Sequence, residues 1–211
     1  MKKMQLHQKA MTYATVLAAG LFVSHNAAAF GIEGDVERGQ QLSNTCAACH
    51  GADGNSASPA FPNIAGQPFK YTAYQLEAYR DGGRDNAVMA PHAADLSDQD
   101  IADLAAFYAA QTREVTPENE TGSELGQRIY EMGRDGGVAS CASCHGKLGQ
   151  GNIAAGFPQL RGLTEAYTRE SLVAYRDDTR KARESDVMHL LSIHLTDEEI
   201  DALSAHIAAM R

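Results

Sequence analysis

All four cysteines of the chain lie in two Cys-x-x-Cys-His segments, CAACH at residues 46–50 and CASCH at residues 141–145. On a helical turn, positions i, i+3 and i+4 share one face, so the two thiols and the imidazole of each segment point the same way. This spacing is the attachment signature of c-type haem, in which both thiols bond to the porphyrin and the imidazole reaches the iron. We therefore predict covalent haem attachment and iron ligation by these side chains: Cys46, Cys49, Cys141 and Cys144 for the haem, His50 and His145 for the iron.

Three other kinds of site use paired cysteines. A structural zinc site would need its two pairs about 15–20 residues apart, whereas these pairs begin at residues 46 and 141. A thioredoxin-like redox pair would need a βαβ pattern, which the sequence lacks. Disulfides are common in exported proteins, but they would not explain a histidine after both pairs. Haem attachment accounts for both cysteine pairs and for the histidine that follows each pair.

The sixth iron ligand is expected downstream of each motif. Met89 and Met188 occupy the same position in the two halves of the chain, and a thioether ligand favours reduced iron. Met132 and Met210 have no counterpart in the other half and are interpreted as packing residues. Four histidines remain as alternative ligands, although none is matched at the same repeat position: His92, His189, His194 and His206.

Other repeated residues suggest how the haem would be held. Pro62 and Pro158 lie in paired Phe-Pro segments, where a backbone carbonyl could accept the second ring N–H of the motif histidine; an ordinary turn proline is the alternative. A repeated set of tyrosines and arginines could bind haem propionates, although tyrosines at helical spacing are more often core residues. This set is Tyr71, Arg80, Tyr167 and Arg176.

The two halves of the chain are copies of one unit. YTAYQLEAYRD (residues 71–81) matches YTRESLVAYRD (167–177), and VMAPHAADLSDQDIADLAAFYA (88–109) matches VMHLLSIHLTDEEIDALSAHIA (187–208). The polar stretch 112–122, which contains a proline, is typical of a linker. The predicted domains are therefore residues 30–111 and residues 123–211, joined by that linker.

Both units are predicted to be helical. Ser97 with Asp100, and Thr196 with Glu199, have the spacing of N-terminal capping boxes. Apolar residues follow each box at helical intervals, and residues 35–48 and 70–81 can also form helices. Because no segment shows the alternation of a strand, the predicted fold class is all-α.

The N-terminus resembles a signal peptide. It begins with lysines, continues with a mostly apolar stretch, and ends with three alanines, so cleavage is expected after residue 29 and the mature protein is expected in the periplasm; an uncleaved membrane anchor is the alternative. Loss of Lys2, Lys3 and Lys9 changes the formal net charge from −9 to −12. Such an acidic protein is a poor nucleic-acid binder and favours basic protein partners. Domain one, with net charge −7, is more acidic than domain two, with −3.

These motifs together resemble the dihaem cytochrome c4 proteins of bacteria, and the resemblance covers essentially the whole mature chain. It implies two tandem class I cytochrome c domains related by a pseudo-twofold axis, each with one haem. It also implies a periplasmic electron carrier between the cytochrome bc1 complex and a terminal oxidase, with other cytochromes c as possible partners and at most peripheral membrane association. The chain departs from the repeat pattern in the segment RDDTRKARESD before Met188 and in Leu163, which stands where the first copy has Gln67.

Three functional classes are compatible with such a sequence. The first is a soluble electron shuttle rather than an enzyme. The second is the cytochrome subunit of a flavocytochrome c sulfide dehydrogenase. Finding whether a flavoprotein copurifies with the chain would distinguish this class from the shuttle. The third is a dihaem peroxidase, which would need one open iron position; a methionine for each iron argues against it. The shuttle is the preferred hypothesis on the strength of the resemblance.

Overall fold

The computed structural model describes residues 28–29, 31–118, 121–180 and 187–211. The predicted signal peptide therefore lies outside the described residues except for its last two alanines. Ala28–Ala29 forms strand β1, which pairs antiparallel with strand β2 (Ile32–Glu33). The sequence pattern does not predict this two-residue ladder. Within the described ranges, no helix is long and apolar enough to cross a membrane.

The remaining named elements are helical and occur in the same order in both halves. The first half contains α1 (Val36–Leu42), a 3₁₀ turn (Ser43–Thr45), α2 (Ala47–His50), α3 (Phe69–Arg80), α4 (Met89–Ala93) and α5 (Asp98–Ala110). The second half contains α6 (Glu124–Met132), α7 (Ala142–His145), α8 (Glu165–Arg176), α9 (Val187–Ser192) and α10 (Asp197–Ala208). The predicted all-α class and the duplication are confirmed.

Both predicted capping boxes are present. Ser97 accepts from the backbone N–H of Asp100, whose side chain accepts from the backbone N–H of Ser97. Thr196 and Glu199 make the same reciprocal pair at the start of α10. Each box satisfies two amides that a helix start would otherwise leave free, which fixes where α5 and α10 begin.

The first and last helices of each domain cross at a glycine. Gly39 of α1 lies against the backbone carbonyl of Asp103 on α5, and Gly126 of α6 lies against that of Ala202 on α10. A Cβ at either glycine would overlap the carbonyl oxygen, so only glycine permits this close approach. The apolar residues that the helical spacing predicts are buried, six of them on α5 and α10 and the last just beyond the end of α10: Ile101, Leu104, Tyr108, Ile200, Leu203, Ile207 and Met210.

The two domains contact each other through loop residues that are related by the repeat. Gln67 of domain one donates through Nε2 to the Gln159 carbonyl at 3.0 Å, and its Oε1 accepts from the Gln159 N–H at 2.9 Å. Asn63 donates to the carbonyl of Gly162 at 3.2 Å, and Gln159 donates to the carbonyl of Gly66, the repeat equivalent of Gly162. This exchange of equivalent bonds is what a pseudo-twofold axis produces.

The predicted linker takes part in this interface. Arg113, only 9% exposed, donates to the carbonyls of Asn63 at 2.7 Å, Ala65 at 2.9 Å and Arg161 at 3.1 Å. Ala65 and Arg161 occupy equivalent positions in the two repeats, so one guanidinium joins matching loops of both domains. The start of segment 112–122 is therefore a structural part of the domain contact.

Candidate functional site

Each Cys-x-x-Cys-His motif forms a single helical turn. Cys46 and Cys141 stand at the N-termini of α2 and α7, and the histidine N–H donates to the carbonyl of that first cysteine at 3.0 Å for His50 and 2.9 Å for His145. This turn places two half-buried free thiols and a buried imidazole on one face, as the spacing predicts. The free thiols do not support the disulfide alternative.

Both motif histidines are held by a proline carbonyl. His50 Nδ1 lies 2.9 Å from the Pro62 oxygen, and His145 Nδ1 lies 3.0 Å from the Pro158 oxygen. Because a carbonyl can only accept, Nδ1 carries the proton in each ring and Nε2 keeps its lone pair. The predicted role of the paired Phe-Pro segments is thus confirmed. Burial is the main cause that lowers the pKa of both histidines, which favours the neutral imidazole that a metal requires.

The predicted site residues of domain one line one cavity. It has a volume of about 200 Å³ and is bordered by Cys46, Cys49 and His50 from the motif and by Met89 from α4. Most of its other walls are apolar or aromatic, among them Ile64, Leu76, Tyr79, Leu104 and Tyr108. A mostly apolar cleft with a few convergent ligand atoms is the usual form of a cofactor site. His92 also borders the cavity, but it is exposed.

Met89 is positioned by the turn that precedes it. The Asn86 side chain accepts from the backbone N–H groups of Val88 at 3.0 Å and Met89 at 2.9 Å, so it orders the first turn of α4. Aspartate and asparagine side chains commonly organise helix starts in this way. Met89 is the first residue of that short helix, and it borders the cavity.

In domain two, Met188 is half-buried in the first turn of α9, as Met89 is in α4. Residues 181–186, the second half of the segment RDDTRKARESD, lie outside the described residues. The rings of two alternative ligands have other contacts: His189 Nδ1 lies 2.8 Å from the Tyr175 carbonyl, and the His206 ring packs 5.4 Å from that of Tyr130. Met188 therefore stays the predicted sixth ligand of the second haem.

Two buried arginines meet where the domains touch. Arg84 is 9% exposed and Arg180 is 3% exposed, and their backbones pair in an antiparallel bridge. Both guanidinium groups donate to Gln75 Oε1, at 2.5 Å and 3.0 Å. Each also reaches a tyrosine of the other domain: Arg180 donates to Tyr71 at 2.9 Å and Arg84 to Tyr167 at 3.4 Å.

This pair is a test of whether the chain fits a haem. Among the described residues, none of the hydrogen-bond acceptors of Arg84 or Arg180 is a carboxylate, and Arg180 Nε has no partner. Buried cations need a nearby anion to offset their lost hydration. Arg84 borders the domain-one cavity, so a haem propionate there would supply that charge. The residues present therefore fit the cofactor.

The repeated arginines that the sequence suggests as propionate ligands, Arg80 and Arg176, already have carboxylate partners. Arg80 pairs with Asp98 at 2.8 Å, and Arg176 pairs with Asp197 at 2.7 Å, so each binds the first turn of the last helix of its own domain. Arg84 and Arg180 lie four residues later, also in equivalent positions of the repeat. That equivalence is the signal that could have identified them from the sequence.

Comparison with known proteins agrees with this geometry. The Cytochrome c family matches residues 36–110 and 123–211. Cytochrome c4 of Pseudomonas aeruginosa is 35% identical over 179 residues, which cover 84% of this chain and 89% of that protein. The thiosulfate dehydrogenase electron acceptor of Stutzerimonas stutzeri is 34% identical and covers 77% of each chain.

A solved structure has the same arrangement of both domains. The crystal structure of reduced recombinant cytochrome c4 from Pseudomonas stutzeri superposes with a TM-score of 0.79 at 34% identity, over 84% of this chain and 100% of that chain. The two cysteine pairs, Cys46 with Cys49 and Cys141 with Cys144, thus serve two covalently attached haem c groups. The chain belongs to the cytochrome c family, and it is a dihaem electron-transfer protein of the cytochrome c4 type rather than an enzyme.

Proposed function

We propose that this protein carries electrons through the periplasm from the cytochrome bc1 complex to a terminal oxidase. The observation that carries the proposal is the domain-one cavity, which has His50 and Met89 among its walls. Such a pair gives the iron two protein ligands. The haem supplies reversible one-electron chemistry, and the chain holds the iron and excludes water from it.

The residues that would hold the iron are His50 and Met89 in domain one and His145 and Met188 in domain two. The support is the Nδ1–carbonyl bond of each histidine and the equivalent helical positions of the two methionines. A methionine thioether among the iron ligands would raise the reduction potential and would occupy the position that a peroxidase needs open. A shuttle needs both properties, since it must accept an electron without reacting with its surroundings.

The periplasmic location rests on the signal-peptide pattern of residues 1–29 and on haem attachment through thiols, which suits an exported protein. The acidic surface supports docking to basic faces of membrane-bound partners. Electrons would enter and leave through such short-lived complexes, which depend on charge more than on large apolar contacts.

A second donor has specific support. One relative is named as the electron acceptor of thiosulfate dehydrogenase, and it spans both domains of this chain. The protein could therefore also accept electrons from a thiosulfate-oxidising enzyme. The two donors are not exclusive, because a soluble carrier with one docking surface can serve several reductases.

Reduction kinetics separate these donors. The oxidised protein would be mixed with purified bc1 complex plus quinol, or with thiosulfate dehydrogenase plus thiosulfate, and its reduction followed by absorbance. Fast, salt-sensitive reduction by the bc1 complex and reoxidation by oxidase-containing membranes are expected. If thiosulfate dehydrogenase reduces the protein and the bc1 complex does not, thiosulfate dehydrogenase replaces the bc1 complex as the proposed donor. A flavoprotein that copurifies in fixed ratio would contradict the shuttle.

A further inference from the structure

One peptide group connects the second haem site to the first domain. The carbonyl of Pro158 accepts from His145 Nδ1 at 3.0 Å. The N–H of the same peptide group belongs to Gln159, and it donates to Gln67 Oε1 at 2.9 Å. The chain of bonds therefore runs from the His145 ring, through a single peptide group, to a side chain of the other domain.

Gln67 is buried at this contact and makes two hydrogen bonds there. It is 3% exposed, Gln159 is 8% exposed, and Gln67 Nε2 returns a bond to the Gln159 carbonyl at 3.0 Å. The two bonds fix the amide plane of Gln67 against the backbone of Gln159. In such a buried place, a hydrogen bond is stronger than in water, and successive bonds polarise one another.

The residue of domain two that is equivalent to Gln67 does not make the same bond to the haem site of domain one. The repeat equivalent of Gln67 is Leu163, which is buried and has no acceptor atom in its side chain. The peptide group of Pro62 and Asn63, which holds His50 through the Pro62 carbonyl, therefore receives no such bond from Leu163. The two haem sites have the same types of predicted ligand, and this interaction is a difference between them.

We propose that Gln67 is a positioning residue that tunes the haem of domain two from domain one. Its Oε1 polarises the Pro158–Gln159 peptide group and makes the Pro158 carbonyl a stronger acceptor. A stronger acceptor at Nδ1 makes the His145 imidazole more basic. A more basic ligand stabilises oxidised iron, so the contact lowers the reduction potential of the second haem relative to the same site without it.

This inference rests on the proposed ligation of the iron by His145, and it gives the domain interface a function. Any partner or variant that separates Gln67 from Gln159 would raise the potential of the second haem without touching its pocket. The domain contact would then be part of the redox site.

The test is Gln67→Leu in the full-length dihaem protein, which places the residue of the second repeat in the first. The potentials of both haems are measured by spectroelectrochemical titration and assigned by NMR of the haem resonances. At a fixed applied potential, the ratio of reduced to oxidised second haem should rise about threefold, which is ~30 mV because a tenfold change is 59 mV for one electron. The His145 Nδ1 proton of the reduced protein should move upfield, and that of His50 should not.

The matched control is Gln159→Met. It removes the bond from the Gln159 side chain to the Gly66 carbonyl, also a contact between the domains, but keeps the Gln159 N–H and its bond to Gln67. It should leave the second potential and the His145 proton unchanged. Gln67→Met, which keeps the side-chain length without the acceptor, replaces Gln67→Leu if that variant does not fold.

Two results would overturn the proposal. One is an unchanged potential and an unchanged His145 proton in the variant at position 67. The other is an equal shift in Gln159→Met, which would mean that any loosening of the interface has this effect. Failure of the ligation by His145 is seen separately, because the ring protons of His145 in oxidised wild-type protein would then lack the large paramagnetic shifts of an iron ligand before any variant is made.

Discussion

At the residue scale, each motif histidine uses one ring nitrogen for the protein and keeps the other for iron. The bonds of His50 to Pro62 and of His145 to Pro158 orient the rings and select the tautomer in which Nε2 is free. Such outer bonds fix the direction of a metal ligand and tune its basicity. A methionine thioether as the other protein ligand of each iron would raise the reduction potential of both haems.

Replacing Met89 or Met188 with histidine tests the sixth ligand. Each change should abolish about half of the weak near-infrared methionine–iron absorption and lower the potential of one haem, since imidazole favours oxidised iron more than a thioether does. Met132→His is the control, because Met132 is 69% exposed and unmatched in the repeat. If the band and both potentials survive a change at position 89, His92 becomes the candidate ligand.

Replacing Arg84 with glutamine tests the buried arginine pair. The loss of a positive charge near a propionate favours oxidised iron, so the potential of the first haem should fall by ~40 mV, equivalent to about 1 kcal/mol at an effective dielectric constant of about 20. Arg80→Gln, which removes a repeated arginine that pairs with Asp98, should change the potential much less. Equal shifts in the two variants would remove the special role of Arg84.

At the scale of elements, the capping box at the start of α10 makes the stability of the fold depend on pH. Glu199 caps α10, and its hydrogen bond with Arg134 is the main cause that lowers its pKa below the ordinary value of 4.5. A carboxylate whose pKa is lower in the folded state stabilises the fold above that ordinary value, and this contribution disappears as the pH falls through the folded pKa.

Glu199→Gln should therefore lower the free energy of unfolding by about 1 kcal/mol near neutral pH, and the difference from wild type should shrink as the pH falls below 4.5. Denaturant unfolding of the haem-loaded protein across a pH series measures this. Glu198→Gln, at the exposed neighbouring position outside the box, is the control and should lower the free energy of unfolding less at neutral pH. A constant difference at all pH values would contradict the ionic origin of the effect.

Local features of the fold could be predicted from the sequence, whereas contacts between the two domains could not. The motif turns, the capping boxes and the proline carbonyls are local, so spacing and repetition are sufficient to predict them. Arg80 and Arg84 are both repeated in the second domain, and nothing local distinguishes them. Only the contact between domains decides that Arg84 is buried there, and the same contact converts Arg113 of a polar linker into an interface residue.

At the scale of the whole molecule, charge is distributed unevenly. Domain one has a net charge of −7 and domain two of −3, so a basic partner should be steered to domain one. Neutralising the exposed Asp85 and Asp95 should slow electron transfer to such a partner severalfold at low salt, and salt should reduce the difference as the Debye length falls to ~8 Å.

The matched variant neutralises two exposed acids of domain two, Asp135 and Glu198, which changes the net charge by the same amount. It should slow the reaction less. Equal slowing by both variants would mean that only the total charge matters, and rates that do not depend on salt would contradict electrostatic steering altogether.

The central claim is that the chain binds two haems, each with a histidine and a methionine on its iron. A redox titration of the purified mature protein, recorded from the visible to the near infrared, tests it most directly. Two one-electron steps are predicted, with a near-infrared methionine–iron absorption in the oxidised protein that decreases across both steps. A single step that accounts for one haem, or two steps without that absorption, would contradict the claim.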